Sequence, residues 1–466
     1  MPSTVSASSL ERRLGPLDAA AIVISNVIGV GIFTTPGIIA QIVPHPAAIL
    51  GVWAAGGILA FAGAMAYAEL AALRPRAGGE YVYLCEGFGP LAGFLTGWTS
   101  FIAGFSGAIA AGAVGAAEYL ARFVPAAGST APLVSIPLGL LDLHLSPRAL
   151  VALAAIWGLA LIHLRGLGPG RIVQNALAGV KVTALMIFVA LGFAFGRGSM
   201  THFVSGVAVR PTSWLLAMIP VMFSYSGWNA AAYVAEEVRD PGRNVPRALA
   251  LGTAAVVLLY LGINVLYLYA LPVGAFSSLG QSGQIAAAAA VGDRLLGPAA
   301  GGLLAVLTII IVMGSLSAMV LAGPRIYYAM ARDGLFFAFA GRVHPRFHTP
   351  AAAIVAQAAW SSVLVLSGTF GQLLNYTGFA VVLFAGVAVI ALFVLRWKRP
   401  SDARPFRAWG YPWAPGIFAA ASMLIVLNAL VRDPGPSLWG LALMAAGLPL
   451  FVFLRRRHPP ETAPAS

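Results

Sequence analysis

Long apolar stretches alternate with short polar, Pro-rich or Gly-rich segments along the whole chain. A helix needs about 20 apolar residues to cross the hydrocarbon of a bilayer. The apolar stretches predict twelve transmembrane spans, at residues 17–40, 48–73, 90–122, 147–164, 172–196, 212–238, 247–271, 298–331, 350–367, 372–396, 414–431 and 437–455. Helices satisfy their own backbone groups in lipid, so the predicted fold class is all-α integral membrane.

Composition agrees with this pattern. Of 466 residues, 59% are hydrophobic and 9% are charged, whereas about a quarter of an ordinary soluble domain is charged. A soluble enzyme and a disordered chain are therefore excluded. Residues 1–16 lack the apolar core of a signal peptide, so the first span should stay in the membrane. We expect a multi-pass protein of a bacterial inner (plasma) membrane.

The net charge of +13 is a topology signal. With the N-terminus inside, 21 of the 28 Lys and Arg residues fall in inside segments and six in outside segments. Positive residues favour the cytoplasmic side, which predicts cytoplasmic tails at residues 1–16 and 456–466. No nucleic-acid partner is needed to explain the charge.

Two of the predicted spans are interrupted in the middle. Span 1 carries Gly29 and Gly31, which fit either close helix packing or an unwound hinge. Span 6 carries Ser226-Gly227, five spans later. Broken helices in corresponding positions of two halves point to a transporter binding site. This favours inverted repeats over residues 17–196 and 212–396, followed by two helices over residues 414–455.

The breaks suit an amino acid. Free N–H groups where the second half of span 1 starts favour a carboxylate. Unpaired carbonyls near Tyr225–Gly227 would accept hydrogen bonds from an ammonium group. Phe223 and Trp228 supply apolar walls for the substrate side chain.

Lys181 lies about nine residues inside span 5, too deep to reach the interface easily. Ionisable residues at such a depth are functional by default. The lysine could exchange a proton, stand where other transporters hold Na⁺, or only brace backbone carbonyls. Ser315 and Ser317 of span 8 are plausible partners if spans 5 and 8 meet. Near the outer surface, Glu118 and Arg122 are spaced to form an i,i+4 pair.

Four blocks of sequence resemble the amino acid–polyamine–organocation (APC) superfamily. They are Ile28–Phe33 with Pro36-Gly37, Pro75–Tyr83, Phe223–Glu237 with Asp240-Pro241, and Gly323–Arg325 with Ala331–Gly334. The Gly-Trp-Asn block and the helix 5 lysine are most similar to L-type amino acid transporters and their bacterial relatives. The resemblance implies a LeuT-type fold of 12 transmembrane helices, with a 5+5 inverted repeat plus two C-terminal helices, and alternating access.

The resemblance also assigns roles to residues. The backbone of Gly29, Val30 and Gly31 would bind the carboxylate, and the backbone of Ile28, Phe223, Ser224 and Tyr225 would bind the amine. Phe223 would gate the site. Lys181 matches the helix 5 lysine that replaces a cation, and Ser315 matches its helix 8 partner. The substrate-binding set is completed by Ser226, Gly227, Trp228 and Asn229.

The chain departs from the L-type pattern at two positions. Val30 replaces a usual Ser, and Ser226 replaces a common Gly, which favours small or medium substrates. The predicted function is sodium-independent transport of neutral L-amino acids, by proton symport or exchange. The alternative is a cationic amino acid or polyamine permease, although neither break has an acidic residue within several positions.

No enzymatic activity, cofactor, metal or catalytic residue is expected, because no phosphate-binding loop or metal-ligand set is evident. Animal L-type transporters pair with a heavy chain through an outer cysteine. The single cysteine, Cys85, is assigned to the inner side. No disulfide-linked heavy chain is therefore expected.

Overall fold

The structure is a computed structural model, which describes residues 10–29, 31–137, 142–204, 207–281, 287–297, 300–432 and 434–457. The described chain is helical apart from one antiparallel pair of strands. These are β1 (Val134–Pro137) and β2 (Asp142–Leu145), with Val134 opposite Leu145. They lie between predicted spans 3 and 4, where no strand is predicted from the hydrophobic pattern.

Helices account for every apolar stretch that the sequence analysis singled out. Several begin at a proline, whose fixed φ and missing N–H suit the first helical position. The helices are α1 (Pro16–Val27), α2 (Gly31–Ile42), α3 (Pro46–Leu73), α4 (Glu80–Phe88), α5 (Pro90–Thr99), α6 (Phe105–Leu120), α7 (Pro147–Leu164), α8 (Leu167–Phe195), α9 (Pro211–Tyr225), α10 (Ala230–Tyr233), α11 (Pro241–Ala270), α12 (Val273–Gln281), α13 (Ala287–Leu296), α14 (Ala300–Arg332), α15 (Ala351–Ser367), α16 (Phe370–Lys398), α17 (Trp413–Arg432), α18 (Pro434–Ala445) and α19 (Leu448–Arg457). A π-helical turn (Ser100–Gly104) joins α5 to α6, and a 3-10 turn (Ala235–Glu237) follows α10.

Within the described ranges, nine helices are long and apolar enough to cross a membrane. They are Pro46–Leu73, Pro90–Leu120, Pro147–Leu164, Leu167–Phe195, Pro241–Ala270, Gly301–Arg332, Ala380–Lys398, Trp413–Val431 and Pro434–Arg457. The pair α1 and α2, bent by 45°, makes a tenth if it is one span. Thr212–Tyr225 and Ala351–Ser367 are shorter apolar helices. A helical membrane protein is confirmed, and the count of twelve stays a prediction.

Backbone hydrogen bonds tie the N-terminal segment to the chain after α10 at one end of the bundle, which we call the N-terminal face. Leu14 lies alongside Val238 as a short parallel bridge. The backbone N–H groups of Arg13 and Leu14 both donate to Glu237 O, at 2.9 Å. Arg239 N–H donates back to Leu14 O at 2.9 Å. These bonds hold the chain just before α1 against the chain that follows α10.

Candidate functional site

The first break separates α1 from α2. Helix α1 ends at Val27, Ile28 is extended (φ −74°, ψ 90°), and α2 begins at Gly31. Gly29 N–H donates to Val27 O in a tight turn, at 2.9 Å. N–H groups at a helix start have no partner within the helix, so α2 presents donors at this point. Val30, predicted to contact the carboxylate, lies outside the described residues.

The second break separates α9 from α10 and lies against the first. Ser226 is extended (ψ 147°) and Gly227 has φ 98°, a conformation that favours glycine. A Cβ on Gly227 would lie 3.0 Å from the backbone C and O of Asn26. The Asn26 side chain donates to Gly227 O at 3.3 Å. The sequence therefore places a glycine where the two breaks touch.

Hydroxyl groups also join the two broken helices. The Tyr260 hydroxyl of α11 lies 3.0 Å from Val27 O and 3.2 Å from Ser224 O, so it bridges the ends of α1 and α9. Thr35 Oγ1 lies 2.8 Å from Ser224 Oγ. A Cβ on Gly31 would stand 3.1 Å from Ser224 Cα, so α2 and α9 approach closely only because residue 31 is glycine.

Lys181 reaches the first break from α8. Its ammonium Nζ donates to Ser25 O at 3.1 Å and to Ile28 O at 2.9 Å, and the side chain is fully buried. A Cβ on Gly314 of α14 would lie 2.8 Å from Lys181 Cε. Predicted spans 5 and 8 therefore meet at this point, with glycine making room for the lysine stem.

The two serines of span 8 face different neighbours. Ser315 Oγ lies 3.5 Å from the position that a Cβ on Gly29 would take, so Ser315 faces the first break. Ser317 Oγ lies 2.9 Å from His163 Nε2 of α7. In the described chain the hydrogen bonds of Lys181 go to the carbonyls of Ser25 in α1 and of Ile28 just after it, rather than to either serine.

Three predicted substrate residues direct their side chains away from the breaks. Trp228 packs edge-on against Tyr67 and Phe418, with ring centroids 4.9 and 5.5 Å away. The Tyr225 hydroxyl donates to Trp53 O. Asn229 points toward the N-terminal face, where it donates to Glu80 Oε1 at 2.5 Å. Phe223 is half-exposed at the end of α9. The groups that the structure brings together at the two breaks are therefore mainly backbone N–H and carbonyl groups.

Three of the four carbonyls expected to bind an amine each accept one internal hydrogen bond in the described chain. Ile28 O accepts from Lys181, Ser224 O lies within reach of the Tyr260 hydroxyl, and Phe223 O accepts from Ser226 N–H at 3.0 Å. A carbonyl has two lone pairs. Each of these oxygens therefore retains a position for a second donor.

Two residues of this region carried no signal in our sequence analysis. Tyr260 is one tyrosine among the aromatic residues of span 7, and only its position opposite both breaks distinguishes it. Glu80 stands in a motif with no indicated chemistry, yet it accepts hydrogen bonds from α10. In the part of the chain that the structure describes, no cluster of three or more His, Cys, Asp or Glu side chains could hold a metal ion.

Apolar spans with two touching helix breaks and a buried lysine define a class, the membrane transporters built on discontinuous helices. Comparison with known sequences identifies the family. The Amino acid permease family matches residues 14–453, so the chain belongs to this family. The predicted APC superfamily is confirmed, and the protein is an amino acid transporter rather than an enzyme.

Similar proteins come from bacteria and mammals. The chain is 29% identical to the serine/threonine exchanger SteT of Bacillus subtilis (strain 168), over 97% of this chain and 98% of SteT. It is 28% identical to the b(0,+)-type amino acid transporter 1 of Mus musculus, over 96% of this chain and 88% of that one. It is also 28% identical to the cystine/glutamate transporter of Homo sapiens, over 95% and 85% of the two chains.

Proposed function

We propose that the protein moves neutral L-amino acids across the membrane by alternating access, without sodium, as an exchanger or proton symporter. The substrate lies between the two breaks. Its carboxylate binds the backbone of Gly29, Val30 and Gly31, and its ammonium binds carbonyls of Ile28 and of residues 223–225. Phe223 closes over it from the end of α9, and Ser226 limits its size.

The observation that carries this proposal is the position of Lys181. Its ammonium lies on the Ser25 and Ile28 carbonyls, beside the unwound backbone where transporters of this architecture hold a cation. A fixed positive charge there repels a second cation and makes a sodium ion unnecessary. The same positive charge disfavours a cationic substrate, and neither break carries an acidic residue of its own.

The substrate class rests on the same geometry and on one relative. Gly31 and Ser224 approach so closely that a Cβ on Gly31 would be crowded, which leaves little room for a bulky side chain. The relative SteT is named a serine/threonine exchanger. We therefore propose small or medium neutral amino acids, with serine, threonine and alanine as the first to test.

Topology and partners complete the proposal. We propose twelve spans in a LeuT-type arrangement, with repeats over residues 17–196 and 212–396, helices at 414–455, and the N-terminal face toward the cytoplasm of a bacterial inner membrane. Cys85 lies on α4, at that face. Burial raises the pKa of its thiol to about 12, so the thiol stays protonated. We propose that no disulfide-linked heavy chain is required.

Counterflow in proteoliposomes tests the proposal. Liposomes loaded with unlabelled serine should take up labelled serine equally well with sodium or choline outside. Alanine and threonine should compete, while arginine and putrescine should not. Uptake that requires a sodium gradient would contradict the role of Lys181. Preferential competition by arginine or putrescine would instead support the cationic permease.

A second lysine of the chain, Lys398, provides a control for a variant of Lys181. Lys181→Met removes two hydrogen bonds from a charged donor and should lower counterflow by at least about tenfold. Lys398 also donates to a backbone carbonyl, Gly87 O at 3.1 Å, but lies far along the chain at the end of α16. Lys398→Met should retain transport. Equal transport by both variants would refute the proposed role of Lys181.

A further inference from the structure

A short segment at the N-terminal face, residues 76–83, packs directly on α10. We call it the clasp. Ala77 N–H donates to Glu236 Oε2 at 3.0 Å, and Gly78 N–H donates to Tyr233 O at 3.1 Å. Gly79 has φ 52°, and a Cβ there would lie 2.5 Å from Tyr233 Cδ1. Glycine is required for the clasp to lie this close to α10.

The clasp is also tied to the end of α14. Arg76 Nη2 lies 2.8 Å from Asp333 Oδ1, and the Tyr81 hydroxyl donates to Asp333 Oδ2 at 2.9 Å. The clasp therefore joins the chain after α3, helix α10 below the second break, and the end of α14. An opening of the N-terminal face that moves α10 relative to α3 must disturb these contacts.

Glu80 lies inside the clasp, as the first residue of α4. The side chain is 9% exposed, and its Oε1 accepts hydrogen bonds from Asn229 Nδ2 at 2.5 Å and from the Tyr233 hydroxyl at 2.6 Å. The titratable groups that face it are Tyr67 of α3, Tyr83 of α4 and Tyr233 of α10. Among the described residues, no Lys, Arg or His side chain makes a hydrogen bond or ion pair with Glu80.

This environment disfavours a charged carboxylate. Removal from water favours the neutral acid, and neutral donors only partly offset that cost. Glu80 lies between two membrane-spanning helices and outside both. Burial raises its pKa to about 7, against an ordinary value of 4.5, even though the hydrogen bonds from Tyr233 and Asn229 lower it.

We propose that Glu80 is a proton-binding site that couples the opening of the N-terminal face to the release of a proton. When the clasp is closed, the carboxyl group is buried and holds its proton. When α10 and the clasp separate, water reaches the carboxyl group and it ionises as an ordinary glutamate does. The state with the higher proton affinity is the closed state, so protonation stabilises closure. This inference rests on the proposed transport function.

Two consequences follow for transport. Acid at the N-terminal face keeps the clasp closed and slows exchange, whereas neutral or mildly alkaline conditions allow opening. If the face is cytoplasmic, as proposed, Glu80 releases a proton into the cytoplasm each time the face opens and takes one up again from that side as the clasp closes. The site therefore assigns a proton step to a residue other than Lys181.

The test is serine exchange in proteoliposomes with equal pH on both sides. If exchange follows the ionised fraction of Glu80, the wild-type rate should rise about tenfold between about pH 6 and pH 8. Glu80→Gln, which mimics the neutral acid, should stay near the low-pH rate at every pH. Glu80→Asp should retain a pH-dependent rate. Glu86→Gln removes a charge from the same helix, outside the clasp, and should keep the wild-type profile.

Infrared difference spectra of the purified protein give a second readout that does not need transport. The wild type should show the carbonyl band of a buried neutral carboxylic acid that disappears between about pH 6 and pH 8. Glu80→Gln should lack this change and Glu86→Gln should retain it. An unchanged pH profile of exchange together with an unchanged spectrum in Glu80→Gln would overturn the inference. Absence of amino acid exchange in the wild type would instead overturn the proposed function.

Discussion

The ion pair beneath the breaks allows a quantitative test of how the N-terminal face is closed. Arg325 of α14 holds Glu237 through two bonds, Nε to Oε2 at 2.8 Å and Nη2 to Oε1 at 2.9 Å. The side chains are 1% and 0% exposed. The backbone oxygen of Glu237 accepts from Leu14 N–H, so this pair and the entering N-terminal segment meet at one residue.

The expected loss of stability depends on which charge of the pair is left buried without its partner. Arg325→Met leaves the Glu237 carboxylate buried without its partner, which costs about 3–5 kcal/mol. The bond from Arg325 Nη1 to Leu321 O at 2.6 Å is lost as well. That carbonyl is in the preceding turn of the same helix and keeps its backbone bond, so this adds little. Arg325→Met with Glu237→Gln removes both charges and should recover most of the lost stability.

Two measurements distinguish an ion pair that keeps the N-terminal face closed from one that only stabilises the fold. Thermal unfolding in detergent should rank the wild type and the double variant well above Arg325→Met. A reporter cysteine at Leu14, which is 1% exposed, should be labelled by maleimide faster in Arg325→Met than in the wild type. The reporter requires a Cys85→Ser background, because Cys85 is the single cysteine of the chain. Unchanged labelling and unchanged melting temperature in Arg325→Met would refute the role of the Arg325–Glu237 pair in closing the N-terminal face. A double variant that is no more stable than the single variant would refute it as well.

Three further outcomes are expected. Gly31→Ala should lower serine counterflow by at least about tenfold at normal expression, because its Cβ would press on the backbone of Ser224. Tyr260→Phe should raise the KM for serine while leaving the protein folded, since it removes the hydroxyl that bridges Val27 and Ser224 at a cost of about 1 kcal/mol. The stability of the wild type should fall as pH rises from about 4.5 to about 7 and then level off, because folded Glu80 binds a proton that the unfolded chain has released. Glu80→Gln should lose that pH dependence. At pH 8 its free energy of unfolding should exceed that of the wild type by up to about 3 kcal/mol.

The spans and the positions of the breaks could be predicted from the sequence, because both depend on local composition. An apolar run of sufficient length must be a helix in lipid, and Gly29, Gly31 and Gly227 mark places where that helix weakens. Lys181 could be singled out for the same reason, since its depth follows from counting along one span. Its partners could not be found, because Ser25 and Ile28 lie more than 150 positions away.

Side-chain directions beyond the second break were not predictable from periodicity. A helical count assigns Trp228 and Asn229 to faces on the assumption of a continuous helix. The extended Ser226 and the left-handed Gly227 reset the direction of the chain, so both side chains leave the breaks. The predicted i,i+4 pair at the end of α6 is also wrong. Glu118 pairs with Arg148, 30 positions away at 3.0 Å, instead of with Arg122.

The buried charges divide into two kinds according to whether an opposite charge lies beside them. Within the described ranges, five Lys, Arg, Asp or Glu residues are buried: Glu69, Glu80, Lys181, Glu237 and Arg325. Glu237 is paired with Arg325, and Glu69 with arginines that include Arg396 at 2.6 Å. In both pairs a guanidinium lies within hydrogen-bond distance of the carboxylate, so each buried negative charge faces a positive one.

Lys181 and Glu80 remain, each without an opposite charge. One lies on the end of α1 at the first break, and the other is bonded to Asn229, which follows the second break. Each broken helix thus has one ionisable group whose charge is compensated only by neutral partners. Among the buried Lys, Arg, Asp and Glu residues of the described ranges, these two are the candidates for a proton step. Replacing both, as Lys181→Met with Glu80→Gln, should abolish the pH dependence of whatever exchange survives, whereas a residual dependence would locate the proton step elsewhere.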